Sequence, residues 1–583
     1  MRTPVLGLFF AKDALALRPF SEAPYRVLGR HALSAGRSCA DAGAASCLWG
    51  RLRNARELRR ALEREGTDLP PDLSEAGLLL AGYRLWGEGL AERMEGPAAA
   101  AVIDRDADRL LLIRDRMGEC PLFYARTGGG IAFSDRPLPL LHVPGVSRIV
   151  DKEGVCELFA LGPARTPGKT PLKDVLELEP GCCLWAGEHS VRVRRYFALE
   201  AAEHEDDERT TVEKTRFLLE QAVAETIPLQ PSCMISGGLD SSAVMALYAR
   251  LAGRPPVGFS VDYEDDERYF ESTLFRPDRD APWARQVCES VGARQICIEL
   301  SSGQLYDALE DAVRAREFPG MADIDSSMLL FARSISACSD AALMGECADE
   351  AFGGYPWFHR EDLLWKDGFP WSGSLPLRES ILKTELRPVV QLTKYAAARY
   401  HEACSALPVL PGEEEGQARL RTLQGLVFRF FMPNLQERAV RMCMASGVAP
   451  LTPFCDDRLI AYLYNVPWRL KNLHGETKGL LREAVADLLP DALLRRKKSP
   501  YPKTCHPNYT EAVRRGIRAL AQDDDAPIWA ICDREAVLRL AAGELSPAQT
   551  PWYGQLMAGP QMLAYLLQVD GWLRLTGAEI DLG

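Results

Sequence analysis

The sequence predicts a chain of two halves, the first rich in short strands with a little helix, the second an α/β fold built on a parallel sheet. Three observations predict it. Short β-type runs (AAAAVIDRD, RLLLIRD, IAFSD) occupy residues 1 to about 195 beside one helix-like stretch, NARELRRALERE. From about residue 213 strand-like and helix-like segments alternate, the pattern of βαβ units. Within that second half SGGLDSS, 236–242, follows the apolar run Cys233-Met234-Ile235 and precedes the apolar, helix-like AVMALYARLA.

Composition sets the outer bounds. At 583 residues the chain is too long for one core, and its 47% hydrophobic and 26% charged content is that of a soluble globular protein. A net charge of −12 argues against a nucleic-acid binder, which carries a basic excess. There is no run of 18 apolar residues, so no membrane span is expected. The opening MRTPVLGLFF is cut short by Lys12 and Asp13 and reads as a first strand, not a signal peptide. The chain's 16 cysteines form no C-x-x-C pair and its 8 histidines do not cluster with them. Zinc is therefore not expected, and a reduced cytoplasmic setting is. The acidic stretch EAAEHEDDERTT has no apolar periodicity and divides the chain into residues 1–198, a linker over 199–212, and 213–583. Further helical stretches are expected around 378–402 and 417–447.

Strand, glycine-rich turn and helix is the geometry that aims backbone N–H groups at an anion. Gly237 and Gly238 allow close approach, Ser236, Ser241 and Ser242 add hydroxyl donors, and Leu239 begins the apolar helix face. Asp240 would repel a bare phosphate, so a divalent cation such as Mg²⁺ between the carboxylate and the phosphates is expected. SGGLDSS contains no Gly-Lys-Ser/Thr, so it is not a Walker A loop. The heptapeptide instead resembles the pyrophosphatase loop of enzymes that cleave ATP between the α and β phosphates. GFSVDY, 258–263, is a second strand whose Ser260 would lie at an adenosine edge. ALMGECADEAFGGYPWF, 342–358, is an apolar strand opening at Gly345 onto acids at 346, 349 and 350, where ligands of open α/β sheets bind. Lys478 in GETKGLLRE opens an amphipathic helix and can aim one ammonium into a cleft. Arg495 and Arg496 of RRKKSPYPK read as a solvated basic face.

Together these residues resemble the asparagine synthetase family over nearly the whole chain. LLLIRDRMGECPLFYA, 110–125, is similar to the RDR-x-G-x-x-PL-x-Y segment of the family's N-terminal glutaminase domain. The resemblance implies an α+β glutaminase-like sandwich of the N-terminal-nucleophile (Ntn) type for the first half. SGGLDSS, GECADEAFGGYPWF, KGLLRE and RRKKSPYPKT match the synthetase domain in order and spacing, which implies an α/β ATP-pyrophosphatase domain with added helices, of the adenine nucleotide α-hydrolase-like type. The tail PWYGQLMAGPQMLAYLLQVDGWL, 551–573, resembles a subgroup of longer bacterial members. What the resemblance implies is ATP and Mg²⁺ as cofactors, the loop 236–242 holding pyrophosphate, and Asp240 and Asp349 holding the metal. Glu346 matches the catalytic glutamate that takes a proton from the attacking amine, and Lys478 matches the lysine that neutralises charge during adenylation.

The departures set the expected chemistry. A working glutaminase begins with cysteine after Met1, whereas residue 2 here is Arg2, a guanidinium with no nucleophilic chemistry. The family's Asn-Gly-Glu segment is Trp49-Gly50-Arg51, and no Arg-Gly-Pro-Asp segment is recognisable near HALSAGRSCADAG. In the second half Val440-Arg441 stands for an Asp-Arg pair, and Ala449-Pro450-Leu451 for an E-x-R segment near the active-site wall. The expectation is an ATP-dependent amide-forming ligase with an inactive glutaminase domain whose amine comes from a substrate, as in lasso-peptide cyclases and β-lactam synthetases. The alternatives are an asparagine synthetase using ammonia and a non-catalytic nucleotide-binding homologue. Expected partners are a small-molecule or peptide carboxylate, with a precursor peptide and companion protease on the peptide reading, and a second copy as homodimer; neither nucleic acid nor membrane is expected.

Overall fold

The structure, a computed structural model, describes residues 6–10, 26–28, 31–34, 38–128, 130–187, 190–272, 277–545 and 551–583. Arg2 lies outside them. The first half contains two antiparallel six-stranded sheets. One runs Val175–Glu177, Phe123–Thr127, Gly130–Ser134, Leu6–Phe10, His31–Ser34, Arg26–Leu28, so the opening apolar run does supply a strand. The other runs Ser190–Arg195, Cys182–Gly187, Arg109–Ile113, Ala98–Asp104, Ala44–Gly50, Ser38–Ala40. Cys47, Ala101, Ile103 and Leu112 of the second sheet pack on Tyr124 and Phe133 of the first. Its other face is covered by helices Ala55–Arg64 and Glu75–Trp86. With both faces covered, the strand AAAAVID is buried at every position and shows no polar alternation.

The second half is built on a five-stranded parallel sheet. Its order is Gln295–Leu300, Gly258–Tyr263, Ser232–Met234, Ala341–Leu343, Ala449–Leu451. The chain builds outward from Ser232–Met234 in one direction, then returns to place Ala341–Leu343 on its other side. The gap between these two strands is a topological switch point, and the crevice beyond their carboxyl ends is where such sheets bind ligands. SGGLDSS and GECADE are the two loops that leave those ends.

The linker expectation is corrected at its end. Only residues up to Asp207 are irregular; Glu208–Ala224 is a helix, because the Asp207 side chain accepts the Thr210 N–H at 2.8 Å and caps it. The two halves share apolar packing, with Phe123, Leu158 and Phe159 in one cluster with Phe318, Trp357 and Trp572. Arg53 and Arg116 each reach Asp457 at 2.6 Å, and the strand Glu579–Ile580 pairs in parallel with Ile149–Val150. No helix among the described residues is long and apolar enough to cross a membrane.

Candidate active site

The loop after Ser232–Met234 turns at Gly237, whose φ of +72° falls in the region open to glycine; a Cβ there would also overlap Trp283. Ser236 and Ser241 cross-brace the turn: the Ser236 N–H donates to Ser241 Oγ and the Gly238 N–H to Ser236 Oγ, both at 3.3 Å. Ser242 Oγ donates to the Gly238 carbonyl at 2.7 Å. Helix Leu239–Ala252 starts at Gly238 with no side-chain cap, so its first N–H groups remain available to an anion.

Across the switch point, charged side chains form a chain of contacts. Lys478 Nζ lies 2.6 Å from both oxygens of Asp240 and is also paired with Asp349, while Lys498 Nζ reaches the other Asp349 oxygen at 2.5 Å. Burial opposes ionisation of Asp349, but Lys478 and Lys498 outweigh it and hold its carboxyl below the usual range. Burial dominates at Asp240, joined by repulsion from Asp349, and raises it despite Lys478. Lys478 sits in the left-handed region at φ +58° as the cap of helix Gly479–Ala484, and Cys347 at φ +75° caps Ala348–Phe352. Non-glycine residues held there are strained, a feature that gathers at functional sites.

Glu346 faces the same pocket, a cavity of about 170 Å³ that also takes in Ser236, Gly238, Asp240, Ser241, Gly345 and Asp349. Arg438 Nη2 donates to Glu346 Oε1 at 2.6 Å, and its guanidinium lies 5.2 Å from the Tyr501 ring centroid. Gly554, Gln555 and Leu556 of the tail close one side, held by Lys503 Nζ donating to the Leu556 carbonyl at 2.9 Å. Among the described residues no group of three or more His, Cys, Asp or Glu could hold a metal ion by itself. Two oxygen donors converging on one cation, Asp240 and Asp349 on Lys478, do fit Mg²⁺, which is commonly bound by one or two carboxylates with phosphate oxygens completing its shell.

The asparagine synthase family model matches residues 214–574, and that of the glutamine amidotransferase domain matches 39–197. Asparagine synthetase [glutamine-hydrolyzing] 3 of Bacillus subtilis is 37% identical over 91% of this chain and 87% of its own length. The chain belongs to the asparagine synthetase family. More distant relatives are asparagine synthetase 1 of B. subtilis, 24% identical over 82% of this chain and 79% of its own, and asparagine synthetase B of Escherichia coli, 25% identical over 57% and 54%. This asparagine synthetase homologue therefore combines a glutaminase-like Ntn sandwich with an ATP-pyrophosphatase domain, and is an ATP-dependent carbon–nitrogen ligase of the asparagine synthetase type.

Within the homologue three expectations change. Ser260 does not line the pocket: it accepts from the Gln295 side chain at 2.9 Å, and its strand neighbour Val261 lines the pocket instead. Adjacent strand residues face opposite sides, so one position decides which is seen. Arg496 is not solvated; it is buried, donating to the Ser236 carbonyl at 2.9 Å and pairing with Asp280, whereas Arg495 is exposed. Val440, Ala449, Pro450 and Leu451 line a separate cavity between the halves, together with Trp49, Gly50 and Arg51, and not the nucleotide pocket. Gly237, Leu239, Ser242 and Lys478 are not among the residues that line the pocket surface. Arg438 and Lys498 were not singled out by sequence; the basic run was the available signal for Lys498, and Arg438 offered none beyond a charge in an apolar helix.

Proposed function

We propose that the protein adenylates a carboxylate with ATP, releasing pyrophosphate, and then joins the acyl group to an amine of a substrate, releasing AMP. The observation that carries this reading is the convergence of Asp240, Asp349, Lys478, Lys498 and Glu346 where two strand-end loops meet. The N–H groups of Leu239, Asp240 and Ser241 hold the departing phosphates, with Asp240 and Asp349 as ligands for Mg²⁺, which supplies positive charge against them. The Lys478 ammonium neutralises charge at the α-phosphate as pyrophosphate leaves. Glu346, oriented by Arg438, takes the proton from the attacking amine.

On this reading glutamine is not the nitrogen source. Trp49 Nε1 donates to the Pro121 carbonyl at 3.1 Å and Arg51 Nη1 to the Glu225 carbonyl at 2.8 Å, so both are committed to the protein where a glutaminase presents its amide-binding groups. Lasso-peptide macrocyclases and β-lactam synthetases supply the template for such chemistry. The identity to an asparagine synthetase favours a second reading, amidation of aspartate by ammonia. Pyrophosphate exchange across a panel of carboxylates tests both. Exchange with larger or peptide carboxylates supports the first reading, aspartate alone supports the second, and no exchange with any of them counts against adenylation. Glutamate release from glutamine, free of contaminating glutaminases, would contradict the inactive first domain.

A further inference from the structure

Between the halves lies a cavity of about 520 Å³. That is within the roughly 300–1,000 Å³ of small-molecule pockets. The helix Met432–Ala445 is its partition: Leu435 and Arg438 face the nucleotide pocket, whereas Gln436, Val440 and Arg441 face this cavity. Its wall is largely apolar, with Trp49 from the first half and Val440, Met444, Pro450 and Leu451 from the second. The replacements in the two halves that separate this chain from the family pattern thus meet in one space.

The wall also carries Arg51, Arg136, Arg314, Glu119, Asp135 and Asp340, and Arg441 is the buried arginine among them. It is only 7% exposed and forms no ion pair among the described residues. Its contacts are one donation to the Asp135 carbonyl at 2.8 Å and the Phe123 ring at 5.7 Å, and its Nε has no partner. Nearby acids serve other cations: Glu437 pairs with Arg165 and Arg316, and Glu317 with Arg136. Burial draws the Arg441 guanidinium below its usual value, against the pull of Glu437, Glu317 and Asp135. Such a group stays charged, with Glu437, Glu317 and Asp135 attracting it from a distance but no carboxylate in direct contact. Gln436 is buried on the same wall with its Oε1 unpartnered, an acceptor awaiting a donor. Glu119 is already satisfied by the Thr452 hydroxyl.

We propose that this cavity is a second ligand site, separate from the nucleotide pocket, for a small apolar carboxylate that carries an N–H donor, the chemistry of an N-acyl hydrophobic amino acid. The carboxylate pairs with Arg441, the N–H meets Gln436, and the apolar body lies on Val440, Met444 and Leu451. N-acetyl-L-leucine is a suitable probe, with the neutral N-acetyl-L-leucinamide as its matched control, in calorimetric titrations of the full chain. The acid should bind about 10-fold or more tighter than the amide, the worth of one charged hydrogen bond. Arg441→Met should abolish that difference, and Ala445→Phe, which fills the space from the same helix, should abolish binding. Arg441→Met should keep the wild-type circular dichroism spectrum, so that lost discrimination is not lost folding. Equal affinity for acid and amide, undiminished binding to Arg441→Met, or displacement of the probe by ATP would each overturn the proposal.

Discussion

Arg438 donates to Glu346 across 2.6 Å from the helix that separates the nucleotide pocket from the interdomain cavity. The contact fixes one oxygen of the proposed base at the wall of the pocket. Glu346→Gln keeps the shape and removes the basicity. Amide formation should fall about 100- to 10,000-fold while pyrophosphate exchange persists. Equal loss of both steps would mean that Glu346 serves nucleotide binding.

Lys478 is buried between two carboxylates. Lys478→Met should suppress pyrophosphate exchange about 100- to 1,000-fold, the scale of one lost electrostatic contact at developing charge. It should also destabilise the fold by roughly 3–5 kcal/mol, since two carboxylates lose their shared cation. Added Mg²⁺ should restore part of the melting temperature in this variant if Asp240 and Asp349 bind the ion. Melting curves with and without Mg²⁺ read this directly.

Gly354 makes room for the same pair, because a Cβ there would overlap both Asp349 Oδ1 and Lys478 Cε. Gly354→Ala should therefore lower pyrophosphate exchange by at least about 10-fold with little change in circular dichroism, if displacement of the pair costs about 1.4 kcal/mol or more in the transition state. Wild-type exchange in this variant would mean that the Lys478–Asp349 contact is dispensable.

Glu119 links pH to stability. Burial foremost, with repulsion from Asp115, pushes its carboxyl up to about 8 in the folded chain. The folded state thus favours the neutral form, and the stability it contributes is full below the unfolded value near 4.5 and is lost as pH rises toward about 8. Glu119→Gln mimics the neutral form and can still accept from Thr452. It should melt with the wild type at pH 5 and about 1–3 °C above it at pH 8.5. A constant difference at both values would exclude Glu119 as the titrating group.

Much of the site could be read from sequence because its parts are local. SGGLDSS, the acids after Ala341–Leu343 and Lys478 each lie in a short segment whose geometry follows from its own residues. Burial in three dimensions could not be read in the same way. Arg496 looks solvated in a basic run, yet folding places it under the Ser236 carbonyl. Ser260 and Val261 differ by one position on a strand, and only the packed sheet reveals which faces the nucleotide pocket. The partnership of Arg438 with Glu346 spans 92 residues and depends on the helix Met432–Ala445 lining the pocket. Val440 and Leu451 were expected near the catalytic wall, but the one on the helix Met432–Ala445 and the other on the strand Ala449–Leu451 both line the interdomain cavity.

The central claim is that this pocket splits ATP between its α and β phosphates to activate a carboxylate. Phosphorus NMR of the nucleotide products, recorded with ATP, Mg²⁺ and each active carboxylate from the exchange panel together with an amine, tests it most directly. The account predicts AMP and pyrophosphate in equal amounts, formed only with the carboxylate present and reduced about 100-fold or more by Lys478→Met. ADP and inorganic phosphate as the products would contradict it.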